Sequence, residues 1–143
     1  MLQFLKSNKI FTALIIVMVL ISVMYCFDYV RAESFNIEVV SISPEQPVAD
    51  GETPVQITVR LTRRGQPVEG HYMFMIPTNG GTMQKNRGKT DENGCVDYVY
   101  YPYRSSILMP AKTVTLRVYD ESNSIFVIVN AKLDFDIELK ERA

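Results

Sequence analysis

The sequence predicts an all-β domain, an antiparallel β-sandwich of about seven strands, behind one apolar N-terminal helix. Three observations carry this expectation. Several segments alternate apolar and polar residues with a period of two, turn-forming clusters separate them, and one uncharged apolar run stands apart in composition at the N-terminus.

The N-terminal element comes first. "MLQFLKSNK" carries Lys6 and Lys9, and Ile10 to Phe27, "IFTALIIVMVLISVMYCF", follows without a charge. As a helix rising ~1.5 Å per residue this run covers roughly 27 Å, close to the ~30 Å hydrocarbon core of a bilayer. The lysines before it predict a membrane span at residues 10–27 with the N-terminus in the cytoplasm and the remainder outside. A secretory signal is the other reading. Val30 and Ala32 suit a cleavage site after Ala32, which would release a secreted chain, although the apolar part of such a signal is usually ~7–15 residues. Tyr25 directly before Cys26 excludes a lipoprotein site, which wants a small residue there. The chain thus divides into 1–32, a cytoplasmic tip plus anchor or signal segment, and 33–143, an extracytoplasmic sandwich.

From Glu33 onward there are 12 Lys plus Arg and 15 Asp plus Glu, a mildly acidic balance. The net charge of the chain, −1, excludes the basic footprint that nucleic-acid binding needs. Cys26 lies in the apolar run and Cys95 far along the chain, so no internal disulfide is expected; Cys95 reads as a half-buried free thiol, with pairing between chains as the alternative. With one histidine, His71, no nucleophile, base and orienting group can be assembled. No enzyme activity, cofactor or metal cage is expected.

The strands follow in order. They are expected near 35–42, 54–62, 68–77, 95–101, 112–119 and 124–139, with a weak one around 82–90 and a break near Asn130. "VQITVRL" places Val55, Ile57, Val59 and Leu61 on one face, and "TVTLRVY" does the same with Val114, Leu116 and Val118. "LDFDIEL" alternates Leu133, Phe135, Ile137 and Leu139 with Asp134, Asp136 and Glu138. Strict alternation rich in β-branched residues marks half-buried strands. Turn chemistry falls between them in "SPEQPVADGETP", "RRGQP", "TNGG", "DENG" and "DESNS".

The segment "KTDENGCVDYVYYP", residues 89–102, reads as a turn feeding a strand. Asn93 and Gly94 tolerate positive φ, and the Asp91 carboxylate can bond the backbone two residues on. Asp91, Asn93 and Gly94 are therefore a structural corner. A calcium site needs six or more oxygens. Asp91, Glu92 and Asn93 offer at most three, unless Asp120 and Glu121 join them from another loop at the same end.

Three short elements in this order resemble the bacterial Ig-like domain of the invasin and intimin type. Pro47, Val48, Ala49, Asp50 and Gly51 match its "PV-A-D-G" segment. Gly65, Pro67, Val68 and Gly70 match its "G-x-P-V-x-G" turn. Gly88, Thr90, Asp91, Asn93 and Gly94 match its "G-x-T-D-x-N-G" turn. The resemblance covers about residues 37–130 and implies an Ig-like sandwich in which the "DENG" corner serves the fold. In that family such domains are usually repeated as adhesin stalks.

Two segments are apolar on both faces: "YMFMI", Tyr72 to Ile76, and "IFVIV", Ile125 to Val129. The family pattern points Met73 and Met75 inward, leaving Tyr72, Phe74 and Ile76 outward. These three, with Val99 and Tyr101 and outward residues of 125–129, form the candidate partner surface, since contiguous exposed apolar groups mark contacts. Burial under the chain's own loops or tail is the alternative. His71 reads as a partner-bonded structural residue, and the stripe Asp134, Asp136, Glu138 and the cluster Lys85, Arg87, Lys89 as solvated faces. Tyr98, Tyr100, Tyr101 and Tyr103 would supply stacking rings to a carbohydrate or wall polymer.

Seven residues, Asp28 to Ser34, join the apolar run to the first strand and reach no more than roughly 23 Å even when extended. An anchored form stays near the bilayer. This predicts a non-enzymatic interaction module, an accessory subunit of a cell-envelope assembly of secretion, conjugation or filament type, with protein partners or self-association. A secreted adhesin or matrix subunit after cleavage and a wall-polymer or carbohydrate-binding module are the alternatives.

Overall fold

The computed structural model describes residues 8–142; Lys6 and the rest of the expected cytoplasmic tip before Asn8 lie outside the described residues. Helix α1 (Lys9–Glu33) contains no Gly or Pro. The Asn8 side chain accepts the Phe11 N–H at 3.2 Å and caps its start. The Ser34 N–H closes its end by donating to the Arg31 carbonyl at 3.0 Å. By length and composition α1 can cross a membrane.

The helix runs past the apolar segment without a break and takes in all but the last residue of the Asp28 to Ser34 connector, within the reach expected of it. Asp28 to Glu33 are helical, so this stretch advances by only about 10 Å rather than reaching out as extended chain. The reason lies in side chains that the domain itself binds, described below.

Among the described residues nine strands follow: β1 (Phe35–Ser43), β2 (Val55–Arg63), β3 (Gln66–Pro67), β4 (Tyr72–Pro77), β5 (Thr82–Met83), β6 (Arg87–Lys89), β7 (Cys95–Tyr101), β8 (Thr113–Asp120) and β9 (Lys132–Glu138). One sheet has the order β1-β2-β7-β5 with β3 beside β2, the other β6-β4-β8-β9. Every strand pairing within the sheets is antiparallel. The alternation read from the sequence sets which face is inside. Val55, Ile57, Val59 and Leu61 from one sheet meet Met73, Met75, Val114, Leu116 and Val118 from the other, all fully buried in one core.

Three expected strands change. The segment 68–77 shortens to β4, and Gln66–Pro67 pairs with β2 instead. The weak strand at 82–90 is two short ones on different sheets, β5 on β7 and β6 on β4. The segment 124–139 keeps only Lys132–Glu138 as strand, and Ile125 to Val129 is a loop. Period-two alternation begins only at Lys132. Before it, buried Asn123 closes the loop, donating from Nδ2 to the Val129 carbonyl at 2.9 Å and accepting the Ala131 N–H on Oδ1 at 3.1 Å.

The registers define two ends. Phe35 opposes Arg63, Arg60 opposes Cys95, Met73 opposes Asp120 and Tyr119 opposes Lys132, so these ends lie together beside α1. Ser43 opposes Gln56 at the far end, where the 102–112 loop meets Ala49 through the Ser105 N–H at 2.8 Å.

Candidate functional site

A long-range polar junction joins α1 to the β8–β9 loop. Asp28, fully buried, accepts the backbone N–H groups of Ile125 at 3.0 Å and Phe126 at 2.7 Å, and also that of Val127. One turn on, Arg31 Nε donates to the Asn123 carbonyl at 2.7 Å. The Phe27 and Phe126 rings meet edge to face at 5.6 Å. On the other side the Ser34 hydroxyl accepts Arg63 Nε at 3.2 Å, and the Arg63 guanidinium lies 5.1 Å over the Phe35 ring. A carboxylate on one helix turn thus satisfies three consecutive loop amides, which fixes the helix to the sandwich by charge-assisted bonds.

The "DENG" corner lies at this same end. Asp91 Oδ1 accepts the N–H groups of Asn93 at 2.9 Å and Cys95 at 2.8 Å, and the Gly94 N–H donates to the Asp91 carbonyl. Gly94 has φ +73°, and a Cβ there would collide with the Leu61 carbonyl oxygen. Asp120 and Glu121 are indeed at this end, and both are engaged. Buried Asp120 bonds His71 Nδ1 at 2.7 Å and the Ser122 N–H at 2.8 Å, and Glu121 pairs with Arg87 at 2.7 Å. His71 thus has its partner. Among the described residues no three His, Cys, Asp or Glu side chains converge as metal ligands do. Cys95 is half-buried, its Sγ 3.7 Å from the Asn93 carbonyl.

The five candidate partner residues do not form one surface. Tyr72, Phe74 and Ile76 face outward from β4, and Val99 and Tyr101 face outward from β7, on opposite sides of the sandwich. Tyr72 lies under the Arg87 guanidinium at 4.2 Å, with Lys89 at 5.9 Å, and Phe74 packs on Tyr119 at 5.3 Å. Lys85 is exposed on the adjoining turn. Across the same face Arg117 holds Asp134 at 2.8 Å and the Thr115 hydroxyl donates to Asp136, so this part of the acidic stripe is cross-paired; Glu138 is exposed. Of the four tyrosines, Tyr98 and Tyr100 belong to the core, and the Tyr103 hydroxyl is bonded to the Pro110 carbonyl at 2.9 Å. The half-buried Tyr103 ring packs against the core beside Gly80, which leaves Tyr101 of the four for stacking.

Two features escaped sequence reading. Asp28 was one acid at the end of an apolar run, with nothing in the pattern to pair it with a segment almost a hundred residues later. At the far end, Ile107 (100% exposed) and Leu108 (97%) project from the 102–112 loop. "SSILMP" carried the signal, an apolar triplet without alternation between turn residues.

The fold and this junction define a class: an Ig-like β-sandwich carrying one apolar helix bonded to its own edge loop. The chain is similar to the D00-D0 domain of intimin, with a TM-score of 0.53 and 10% identity over 73% of this chain and 48% of that one. It is also similar to a C-terminal 282-residue fragment of intimin solved with the intimin-binding domain of the translocated intimin receptor. There the TM-score is 0.50 and the identity 18%, over 71% of this chain and 33% of that one. A conjugative transposon lipoprotein from Bacteroides eggerthii DSM 20697 matches with a TM-score of 0.46 and 19% identity over 73% and 96% of the two chains. The chain spans less than half of the two intimin fragments. The fold is the Ig-like sandwich of the invasin and intimin type. No family model and no curated protein matches the chain.

Proposed function

We propose that the chain is a non-enzymatic, membrane-anchored Ig-like module, with α1 spanning the bilayer at residues 10–27 and the sandwich outside the cytoplasm. It serves as an accessory subunit of a cell-envelope assembly of secretion, conjugation or filament type. One observation carries the anchored reading: the Asp28 carboxylate is built into the folded domain. Cleavage after Ala32 would remove Asp28 and Arg31 together, and the amides of Ile125, Phe126 and Val127 would lose their acceptor. A removable signal has no such role in the fold it leaves behind.

The helical connection holds the sandwich close to the bilayer, which favours work within an envelope complex over reach to a distant surface. A protein partner finds its apolar contact at the far end, on Ile107 and Leu108. The secreted adhesin and the carbohydrate module are the weaker readings, the latter because two of its four rings lie in the core.

Intact mass and N-terminal sequencing of the native protein test this reading. An N-terminus upstream of Asp28 is expected, and a start at Glu33 would sink the anchor. Protease treatment of intact spheroplasts should digest the sandwich; protection would reverse the orientation. A photo-crosslinker at Ile107 should capture a protein partner in native membranes more strongly than one at Phe74.

A further inference from the structure

We propose that the β8–β9 loop is a second membrane contact, in which Ile125, Phe126 and Ile128 enter the headgroup–acyl boundary of the bilayer beside α1. This rests on the anchored reading above. The level of the loop is set by geometry. Its amides bond Asp28, the first residue past the uncharged run, and Phe126 packs on Phe27, the last residue within it. Interfacial elements bury their apolar face ~5–10 Å into that boundary, the depth at which this loop lies when Ile10 to Phe27 fill the hydrocarbon.

The side chains fit the same solvent. Ile125 is 57% exposed, Phe126 55% and Ile128 87%, next to exposed Phe27 and Val30 on the helix. Three neighbouring apolar side chains held out of the core at a span's exit face a medium that accepts them. The backbone fits too. Where water is scarce every N–H needs an acceptor, and Asp28 supplies one to three consecutive amides while Asn123 serves the Val129 carbonyl. This accounts for a fully buried carboxylate at the mouth of an apolar helix.

The surroundings are those of a phospholipid surface. Tyr25 and Tyr29, their rings 6.3 Å apart, line an open groove with Ile128, Val129 and Lys132. On the other flank Arg31, Arg63 and Arg64 border Cys26, Phe27 and Val30. Tyrosines are enriched at the headgroup level on both sides of a bilayer, and the arginine guanidinium groups are placed to donate hydrogen bonds to lipid phosphates. Two attachments, helix and loop, fix the tilt of the sandwich on the membrane.

The chain has no tryptophan, so a single one reports its own position. The full chain is prepared as Val17→Trp, Ile128→Trp and Ile107→Trp and placed in phosphatidylcholine–phosphatidylglycerol vesicles containing lipids brominated at shallow or deep acyl positions. Expected are strong deep quenching for Val17→Trp, blue-shifted emission with mainly shallow quenching for Ile128→Trp, and unquenched, water-like emission for Ile107→Trp. If Val17→Trp is quenched and Ile128→Trp is not, the loop contact is overturned and the anchor stands. Blue-shifted but unquenched emission from Ile128→Trp means that protein, such as a second copy, covers the loop, and it also overturns the contact. If Val17→Trp escapes quenching, the anchored reading fails and the contact with it.

Discussion

Asp28, near the end of the apolar helix, accepts the backbone N–H of Phe126 at 2.7 Å, 98 residues further along the chain. The same carboxylate takes the amides on either side of Phe126. The bond links the helix that sequence alone would treat as a detachable anchor to a loop of the folded domain. It turns a potential hinge into a fixed joint.

Breaking that joint should be visible at three amides. In Asp28→Ala, hydrogen exchange at Ile125, Phe126 and Val127 should accelerate by roughly tenfold or more, as expected for lost bonds to a charged acceptor, while the core strand amides of β2 and β7 hold. Equal acceleration throughout would mean that the joint supports the whole domain. No change would mean that the carboxylate is dispensable.

The corner at Gly94 is a constraint of space as well as of φ. Gly94→Val places a β-branched side chain at φ +73° against the Leu61 carbonyl and should cost ~1 kcal/mol or more, a fall of several degrees in Tm. Because Asp91 is occupied by its own turn, Asp120 by His71 and Glu121 by Arg87, added calcium or chelator should leave Tm where it was. A calcium-dependent rise of several degrees would revive a metal role.

The two faces of β4 should respond differently. Met75→Ala empties a fully buried site and should cost ~2–5 kcal/mol. The outward, half-buried pair Phe74→Ser with Ile76→Thr loses the ring contact with Tyr119, worth ~0.5–1.5 kcal/mol, together with part of the ~1.5–3 kcal/mol that full burial of each side chain would contribute, and should leave the domain folded by circular dichroism. Outright unfolding of the double variant would place these side chains in the structural core.

Acid should loosen the "PVADG" turn. Two backbone amides and the Thr53 hydroxyl hold the Asp50 carboxylate, with the Thr53 bonds foremost, and lower its pKa from 3.8 to about 2. A depressed carboxylate contributes stability above its unfolded pKa and loses it as pH falls through the folded one. The Tm advantage of the native chain over Asp50→Asn should therefore be full at neutral pH and shrink between pH 4 and pH 2. An advantage independent of pH would show that the charge is not what the turn uses.

Much of the fold was legible because each strand carries its own instruction. β2, β7 and β8 alternate cleanly, and they occur at or within a residue of where the alternation puts them. The turns at Asp50 and Asp91 were legible for a similar reason, since each carboxylate bonds amides two to four residues away. Ile125 to Val129 was not. A run that is apolar on every side has no period, and its loop form depends on Asn123 and Asp28, one near and one far in sequence. Tyr72, Phe74 and Ile76 were correctly turned outward, but their separation from Val99 and Tyr101 by the thickness of the sandwich follows from sheet order, which alternation does not encode.

The apolar helix, the inward faces of the strands and the local corners follow from the order of residues alone, because period, length and turn chemistry act over a few residues. Long-range packing, by contrast, bonds Asp28 and Arg31 to the β8–β9 loop, pairs Asp120 with His71, and sets the apolar side chains at 125–128 and 107–108 at opposite ends. Those outcomes require groups far apart in the chain to meet, and a buried carboxylate reveals its partner only when the chain has folded around it.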